Sequence, residues 1–137
     1  MPLLPQLLED VSAVPLVISG TSMTPFLFHG RDTVLLSKLS VPPKRGDMLL
    51  YRRDNGAYVL HRVFCVKNKL CTMVGDAQTG LEPGIRDDQI IAIVTAVRRN
   101  GTILKKGSFL WWFFAHFWLW ILPYRPKLLR FFLAKHQ

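Results

Sequence analysis

The chain of 137 residues is long enough for one compact domain and leaves little room for a second. Half of its residues are hydrophobic and 20% are charged, which excludes intrinsic disorder as the state of the whole chain. The net charge of +9 comes almost entirely from residues 89–137, which hold eight Lys and Arg residues, no acidic residue and all four Trp residues, a composition that favours an anionic membrane surface over a nucleic acid.

From the N-terminus, the apolar pattern predicts a short amphipathic helix over residues 3–11 and then a series of strands. Each predicted strand is short and is bounded by turn residues such as Asn55 and Gly56. The predicted strands are residues 14–19, 33–38, 47–52, 58–66, 70–74, 89–97 and 102–104. Residues 77–88, with Pro83 and Gly84, are predicted to form a loop. Strands of this length and spacing indicate a mainly β domain with a coiled, mostly antiparallel sheet.

The C-terminal part differs in character, so we divide the chain into a β domain, residues 1–104, and an aromatic tail, residues 105–137. Residues 109–122 are apolar on every side apart from His116, and basic residues follow. A helix of this length spans about 21 Å, whereas a bilayer core of about 30 Å requires about 20 residues. The tail, over residues 109–135, is therefore predicted to lie in a membrane surface as a monotopic anchor. The alternative is a helix packed on the core of the domain itself.

Other features restrict the location and the chemistry. The first ten residues contain no basic region followed by a long apolar run, so we expect no export and place the domain at the cytoplasmic face of the membrane. Cys65 and Cys71 flank a predicted turn; buried free thiols are the expected state, and a pair across the turn is the alternative. The histidines show no spacing typical of metal ligands, so neither a metal nor a cofactor is expected.

Residues 19–25, with the sequence Ser-Gly-Thr-Ser-Met-Thr-Pro, follow an apolar run and are rich in small residues. Such a turn can expose the hydroxyl group of Ser22 and direct backbone N–H groups at a developing oxyanion. Met23 and Pro25 supply apolar surface beside the hydroxyl and are candidate substrate-binding residues. An ordinary turn between two elements is the simpler interpretation of the same sequence.

Two further residues complete a candidate constellation. His61 lies in the predicted strand 58–66, on the same face as Val59 and Val63, and a neutral histidine is a suitable general base near pH 7. Asp76 follows Gly75 at the end of the next predicted strand, where a carboxylate is able to orient a histidine. Taken singly, His61 is typical of a core residue and Asp76 of a turn.

Five short motifs follow one another in order along the chain. They are Ser-Met-Thr-Pro at residues 22–25, Gly-Arg-Asp at 30–32, Arg-Gly-Asp at 45–47, His-Arg-Val at 61–63 and Gly-Asp at 75–76. In order and spacing they resemble the motifs of the signal peptidase I family, which belongs with the LexA-like serine peptidases. The resemblance covers about residues 15–100. It implies a coiled antiparallel β-sheet domain of the signal-peptidase/LexA-like type, to which this chain adds its C-terminal aromatic helical tail.

The resemblance also implies roles for individual residues. Ser22 would be the nucleophile and His61 its base, whereas typical bacterial members have lysine at that position. The histidine resembles the endoplasmic-reticulum and archaeal branch, which is thought to use a serine, a histidine and an aspartate. Asp76 is the first choice for the acidic member; Asp87, Asp88 or another acidic residue downstream of the Gly-Asp motif is the alternative.

The sequence departs from the family in two respects. The usual N-terminal transmembrane anchor is not recognisable, and the aromatic tail takes its place. Gly20 stands two residues before the nucleophile, so no side-chain hydroxyl there helps to bind the oxyanion. The backbone N–H of Ser22, with the hydroxyl of Thr21, is expected to serve instead.

The function expected from these observations is that of a membrane-associated serine endopeptidase, which cleaves a peptide or protein, with leader or signal peptides as candidate substrates. A catalytically inactive β domain that acts as a membrane-bound binding module is the alternative. A self-cleaving, repressor-like domain is less favoured, because no helix-turn-helix segment precedes residue 14 and the lysine base is absent.

Overall fold

The computed structural model of the chain describes residues 14–17, 22–28, 30–105, 107–128 and 130. These residues form eight strands and then a helical segment. The strands are β1 (Val14–Val17), β2 (Asp32–Ser37), β3 (Met48–Arg52), β4 (Tyr58–Lys67), β5 (Leu70–Val74), β6 (Glu82–Ile85), β7 (Ile90–Arg99) and β8 (Thr102–Lys105), with a short 3-10 turn, Asp87–Gln89, before β7. The helical segment, residues 109–128, comprises α1 (Phe109–Trp112), a π-helical turn (Phe113–Phe117), α2 (Trp118–Trp120), a 3-10 turn (Leu122–Tyr124) and residues 125–128.

All strand pairs are antiparallel, and the strands follow the order β1-β2-β7-β3-β4-β5-β6. Strand β7 pairs with three strands. Strand β2 lies along one of its edges, and β3 and β8 share the other. The register shifts at Leu35/Leu36, Leu50/Tyr51, Val63/Cys65 and Cys71/Met73. Such irregularities increase local twist and bend the strands, which lets one sheet wrap around two groups of core residues.

The two core groups lie on opposite faces of the sheet, as strand β3 shows most clearly. Met48 and Leu50 belong to a first cluster, and Leu49 and Tyr51 belong to a second. Successive side chains of a strand point to opposite faces, so a strand that is buried along its length must contribute to both. His61 is paired with Leu49 across β3 and β4, and it therefore lies on the face of the second cluster.

The helical segment completes the first cluster. Six of its hydrophobic residues are buried, and most of them pack with Met23, Phe26 and residues of β2, β3 and β7: Trp111, Phe114, Ala115, Trp118, Leu119 and Ile121. Ser108 caps α1 by accepting a hydrogen bond from the Trp111 N–H. The boundary expected between residues 104 and 105 therefore does not separate two hydrophobic cores.

The mainly antiparallel β-sheet with a short C-terminal helical segment confirms the coarse fold prediction, and the predicted strands lie within two residues of observed ones where the structure describes them. The error is β6, which lies in the predicted loop 77–88. Its Pro83 is tolerated because β6 is the last strand of the sheet, and an edge strand needs no N–H donor on its outer side. The predicted helix 3–11 lies outside the described residues. Among the helices that are described, none has the length and apolar character needed to span a bilayer.

Candidate active site

Ser22 is the first residue of a turn that is held in place by buried core residues. Met23 is 4% exposed and belongs to the first core cluster, and its carbonyl oxygen accepts a 2.9 Å hydrogen bond from the N–H of Leu27. Pro25 lines an apolar groove next to the helical segment. Neither Met23 nor Pro25 lines the cleft at His61, so the geometry gives no support to the substrate-binding role expected for them. Thr21, expected to help bind the oxyanion, lies outside the described residues.

The Gly-Asp motif packs directly against the backbone of Ser22. The N–H of Ala77 donates a 2.9 Å hydrogen bond to the carbonyl oxygen of Ser22. A Cβ atom at Gly75 would lie only 2.5 Å from that same oxygen, a separation that real Cβ atoms do not adopt. The glycine is therefore required for close approach of two backbones, and it ties the Ser22 turn to the loop that follows β5.

Asp76 has a different partner from the one predicted. Its two carboxylate oxygens accept hydrogen bonds of 2.8 Å from Nε and Nη2 of Arg62, and both side chains are fully buried. Arg62 also donates to the carbonyl oxygen of Gly46. This bidentate pair engages both oxygens of Asp76, and no hydrogen bond joins Asp76 to His61 among the described residues; the carboxylate instead fastens the loop to β4.

His61 is oriented by Tyr51. The Nδ1 atom of His61 lies 3.3 Å from the hydroxyl oxygen of Tyr51, and that hydroxyl lies 2.6 Å from Oε1 of Glu82. An ionised carboxylate only accepts hydrogen bonds, so the single proton of Tyr51 is directed at Glu82. The oxygen of Tyr51 is left to accept from Nδ1–H of His61, which assigns the neutral tautomer with its lone pair on Nε2.

Electrostatic interactions favour the protonation state that each group of this hydrogen-bonded series needs. Arg53 donates to both oxygens of Glu82, at 2.9 and 3.0 Å, and this contact holds the pKa of Glu82 below its usual value. Burial, and then the neighbouring Glu82, raises the pKa of Tyr51. Burial, and then the charge of Arg53, lowers the pKa of His61, while Glu82 and Asp76 oppose that shift. At neutral pH Glu82 is thus ionised, Tyr51 is protonated and His61 is neutral.

The imidazole borders a cleft of about 690 Å³ whose walls are part polar and part apolar. The walls of the cleft are formed by Arg53, by residues 77–81 of the loop and by Glu82 and Pro83 of β6. Ala77 lines this cleft and also holds the backbone of Ser22, so Ser22 and His61 contact the same loop. Among the described residues, the Ser22 hydroxyl forms no hydrogen bond with the imidazole.

The helical segment also holds this loop. Nη1 of Arg125 donates to the carbonyl oxygens of Gly75 and Gln78, at 3.0 and 2.9 Å, and its Nε donates to the carbonyl oxygen of Trp118. Nε1 of Trp118 donates a 2.8 Å hydrogen bond to the carbonyl oxygen of Asp76. Three carbonyl groups within residues 75–78 are therefore held by side chains from the C-terminal part of the chain.

The alternative acidic residues, Asp87 and Asp88, interact with residues other than His61. Asp88 forms an exposed ion pair with Arg86, at 3.0 Å. Asp87 lies near Cys71, where burial and then the charge of Asp87 raise the pKa of the thiol. Neither forms a hydrogen bond with His61. Cys65 and Cys71 are both free thiols.

Sequence reasoning missed Tyr51, Glu82 and Arg53 as members of the site. The alternation of β3 was a usable signal, since it places Tyr51 two residues from Leu49, the cross-strand partner of His61. Glu82 is itself an acidic residue downstream of the Gly-Asp motif, a class that the family resemblance had left open.

Comparisons of the chain with protein-family models, with curated proteins and with solved structures found no match. The function is therefore argued from the residues and their geometry alone.

Proposed function

We propose that the chain is a serine endopeptidase of the signal-peptidase type, with the LexA-like form of coiled β-sheet, in which Ser22 is the nucleophile and His61 the general base. The observation that carries the proposal is the series of hydrogen bonds from Glu82 through Tyr51 to His61. It leaves the lone pair of a neutral imidazole on Nε2, in a histidine that borders the cleft, and a general base needs that lone pair.

The chemistry follows from this arrangement. Nε2 of His61 takes the proton of the Ser22 hydroxyl as its oxygen attacks the carbonyl carbon of a peptide bond. The resulting oxyanion is bound by the backbone N–H of Ser22 with the hydroxyl of Thr21. His61 then gives the proton to the leaving amine, and the C–N bond breaks. Water, deprotonated by the same Nε2, hydrolyses the acyl ester and restores Ser22.

In this proposal Glu82 replaces Asp76 as the acidic member and acts through Tyr51. The imidazolium that forms during attack is stabilised by the negative charge of Glu82, although Arg53 offsets part of that charge. Asp76 has a positioning role, because it holds the loop whose Ala77 N–H fixes the Ser22 carbonyl.

The fold supports the proposal through the places that three of the five motifs occupy. The His-Arg-Val motif in β4 brings His61 to the cleft, and the Gly-Asp motif after β5 begins the loop that forms a wall of the cleft and contacts the backbone of Ser22. The edge strand β6 forms one wall of the cleft. An unpaired strand edge suits an extended peptide, which would add to it as a further strand.

The test is a search for new peptide termini. The purified chain and its Ser22→Ala and His61→Gln variants are incubated with a proteome-derived peptide pool, and new termini are read by mass spectrometry. Ser40→Ala, which changes an exposed serine, is the matched control. Cleavage by the unmodified chain and by Ser40→Ala, lost in the other two variants, supports the proposal. Cleavage that persists in Ser22→Ala refutes it.

The second candidate is a catalytically inactive β domain that binds a peptide in the same cleft. One observation favours it, namely that no hydrogen bond joins Ser22 to His61 in the described part of the chain. Catalytic hydrogen bonds often tighten only when substrate binds, so this observation does not decide between the two functions. Peptides that are retained by the chain, but leave it uncut, would establish the binding module.

A further inference from the structure

The outer face of the helical segment is aromatic and exposed. Five large aromatic side chains that do not pack on the sheet form what we call the aromatic face: Phe109, Trp112, Phe117, Trp120 and Tyr124, of which Phe109 is 76% and Trp120 74% exposed. Scattered exposed hydrophobic residues are normal on a protein surface, but a row of them on one short segment indicates an interaction surface.

An apolar groove of about 530 Å³ adjoins this face. Phe117 belongs to both, and the other apolar lining residues include Leu110, Phe113, Trp118, Ile121 and Leu128. The only charged residues among those that line it are Arg31 and Arg99. A groove of this volume has the size of a small-molecule site, and its lining suits a hydrocarbon chain.

The charge around the groove selects an anionic ligand. Arg31 and Arg99 share a single carboxylate, that of the buried Asp32, so the three residues together leave one positive charge. Exposed basic side chains on the surrounding part of the chain add to it, namely Arg98, Lys105, Lys127 and Arg130. From residue 89 onward the sequence has no acidic residue to compensate them.

We propose that this surface binds a bilayer of anionic phospholipid. The aromatic face lies in the boundary between headgroups and acyl chains, and one acyl chain of a bound lipid enters the groove, with its phosphate near Arg31 and Arg99. Indole and phenol side chains favour that boundary layer, and basic residues around them are attracted to anionic headgroups. This proposal is independent of the proposed peptidase activity, since none of these residues belongs to the His61 cleft.

The first experiment measures binding of the full chain to vesicles. Cosedimentation is compared for phosphatidylcholine vesicles and for vesicles that contain one quarter phosphatidylglycerol, with the double variant Phe109→Ala/Trp120→Ala. The double variant Val41→Ala/Leu70→Ala is the matched control, because it removes exposed apolar side chains elsewhere. We expect phosphatidylglycerol to raise the affinity at least about tenfold and the aromatic variant to lower it by a similar factor, with the control unchanged. Equal binding to both vesicles, no binding, or loss of binding in the control overturns the proposal.

The second experiment tests the groove with single-tryptophan variants, in which the other three Trp residues are replaced by Phe. Phosphatidylglycerol with brominated acyl chains should quench Trp118, which lines the groove, much more than Trp111, which is buried to the same degree (4% exposed against 5%) but does not line the groove. Quenching that is equal at both positions, or absent at Trp118, refutes entry of the acyl chain. If these variants do not fold, amide exchange of the unmodified chain replaces them, and residues 110–121 must then be slowed by phosphatidylglycerol vesicles for the proposal to stand.

Discussion

Replacement of Gly75 by alanine tests the link between the Gly-Asp motif and Ser22. The added Cβ would lie 2.5 Å from the carbonyl oxygen of Ser22, whereas ordinary van der Waals contact begins at 3.4 Å. The difference of about 0.9 Å has to be met by movement of one backbone or the other. Gln78, which the Cβ would also approach, offers no resistance, because only its exposed amide group is involved.

A displacement of about 1 Å in a catalytic group is enough to lower a rate about a hundredfold. We therefore expect kcat/KM of Gly75→Ala to fall by about that factor, mainly through kcat, since the cleft walls at residues 79–83 are not touched. Overpacking at a buried contact typically costs about 1–3 kcal/mol, so the free energy of unfolding should fall by a similar amount.

The assay is steady-state cleavage of a peptide identified by its new termini, together with thermal unfolding. Gly80→Ala is the matched control, because Gly80 lies in the same loop and a Cβ there meets nothing within 4 Å. A Gly75→Ala variant whose kcat/KM and unfolding temperature both match those of Gly80→Ala would refute the reasoning that Gly75 holds Ser22 in place.

Four further predictions follow from the site. Tyr51→Phe removes the oxygen that accepts from Nδ1 of His61, and we expect kcat to fall about 10- to 100-fold, with Tyr58→Phe unaffected as the control; equal activities would remove Tyr51 from the site. Because burial lowers the pKa of His61, kcat/KM should rise with pH through a midpoint below the ordinary histidine value of 6.5, and a midpoint at pH 8 or above would identify another base. Because the pKa of His61 is lower in the folded than in the unfolded chain, the unfolded chain binds more protons at pH values between the two. The free energy of unfolding should therefore decrease as the pH falls from 6.5 toward the lower folded-state pKa. Arg125→Met removes the side-chain donor to three carbonyl oxygens, of which that of Gly75 keeps the N–H of Gln78, and should lower the free energy of unfolding by about 1–3 kcal/mol, measured by urea denaturation; Lys127→Met is the exposed control, and equal midpoints for the two would contradict the role given to Arg125.

Most of the sheet could be predicted from the sequence because short apolar runs bounded by turn residues, as in β2, β4 and β7, are a local property. Strand β6 could not, since Pro83 and Gly84 are typical of loops, and only its position at the edge of the sheet permits them to form a strand.

The candidate site likewise contains residues that the sequence could predict and residues that it could not. Ser22 and His61 stand in recognisable local motifs. The partner of Asp76 was not predictable from its own motif, because Arg62 reaches it from a different strand and a buried arginine binds a carboxylate more completely than an imidazole does. Likewise, Tyr51 and Glu82 are separated by 31 positions in the sequence, and only the sheet register brings them to one imidazole.

The contacts from Trp118 and Arg125 to the loop have a consequence for how the protein folds. They join residues that are 42 and 50 positions apart, and Trp118 and Arg125 follow all of the described strands along the chain. During synthesis these strands are therefore made before the side chains that hold the loop beside His61. A peptidase of this design would remain inactive on the ribosome until its last helical turns have been made.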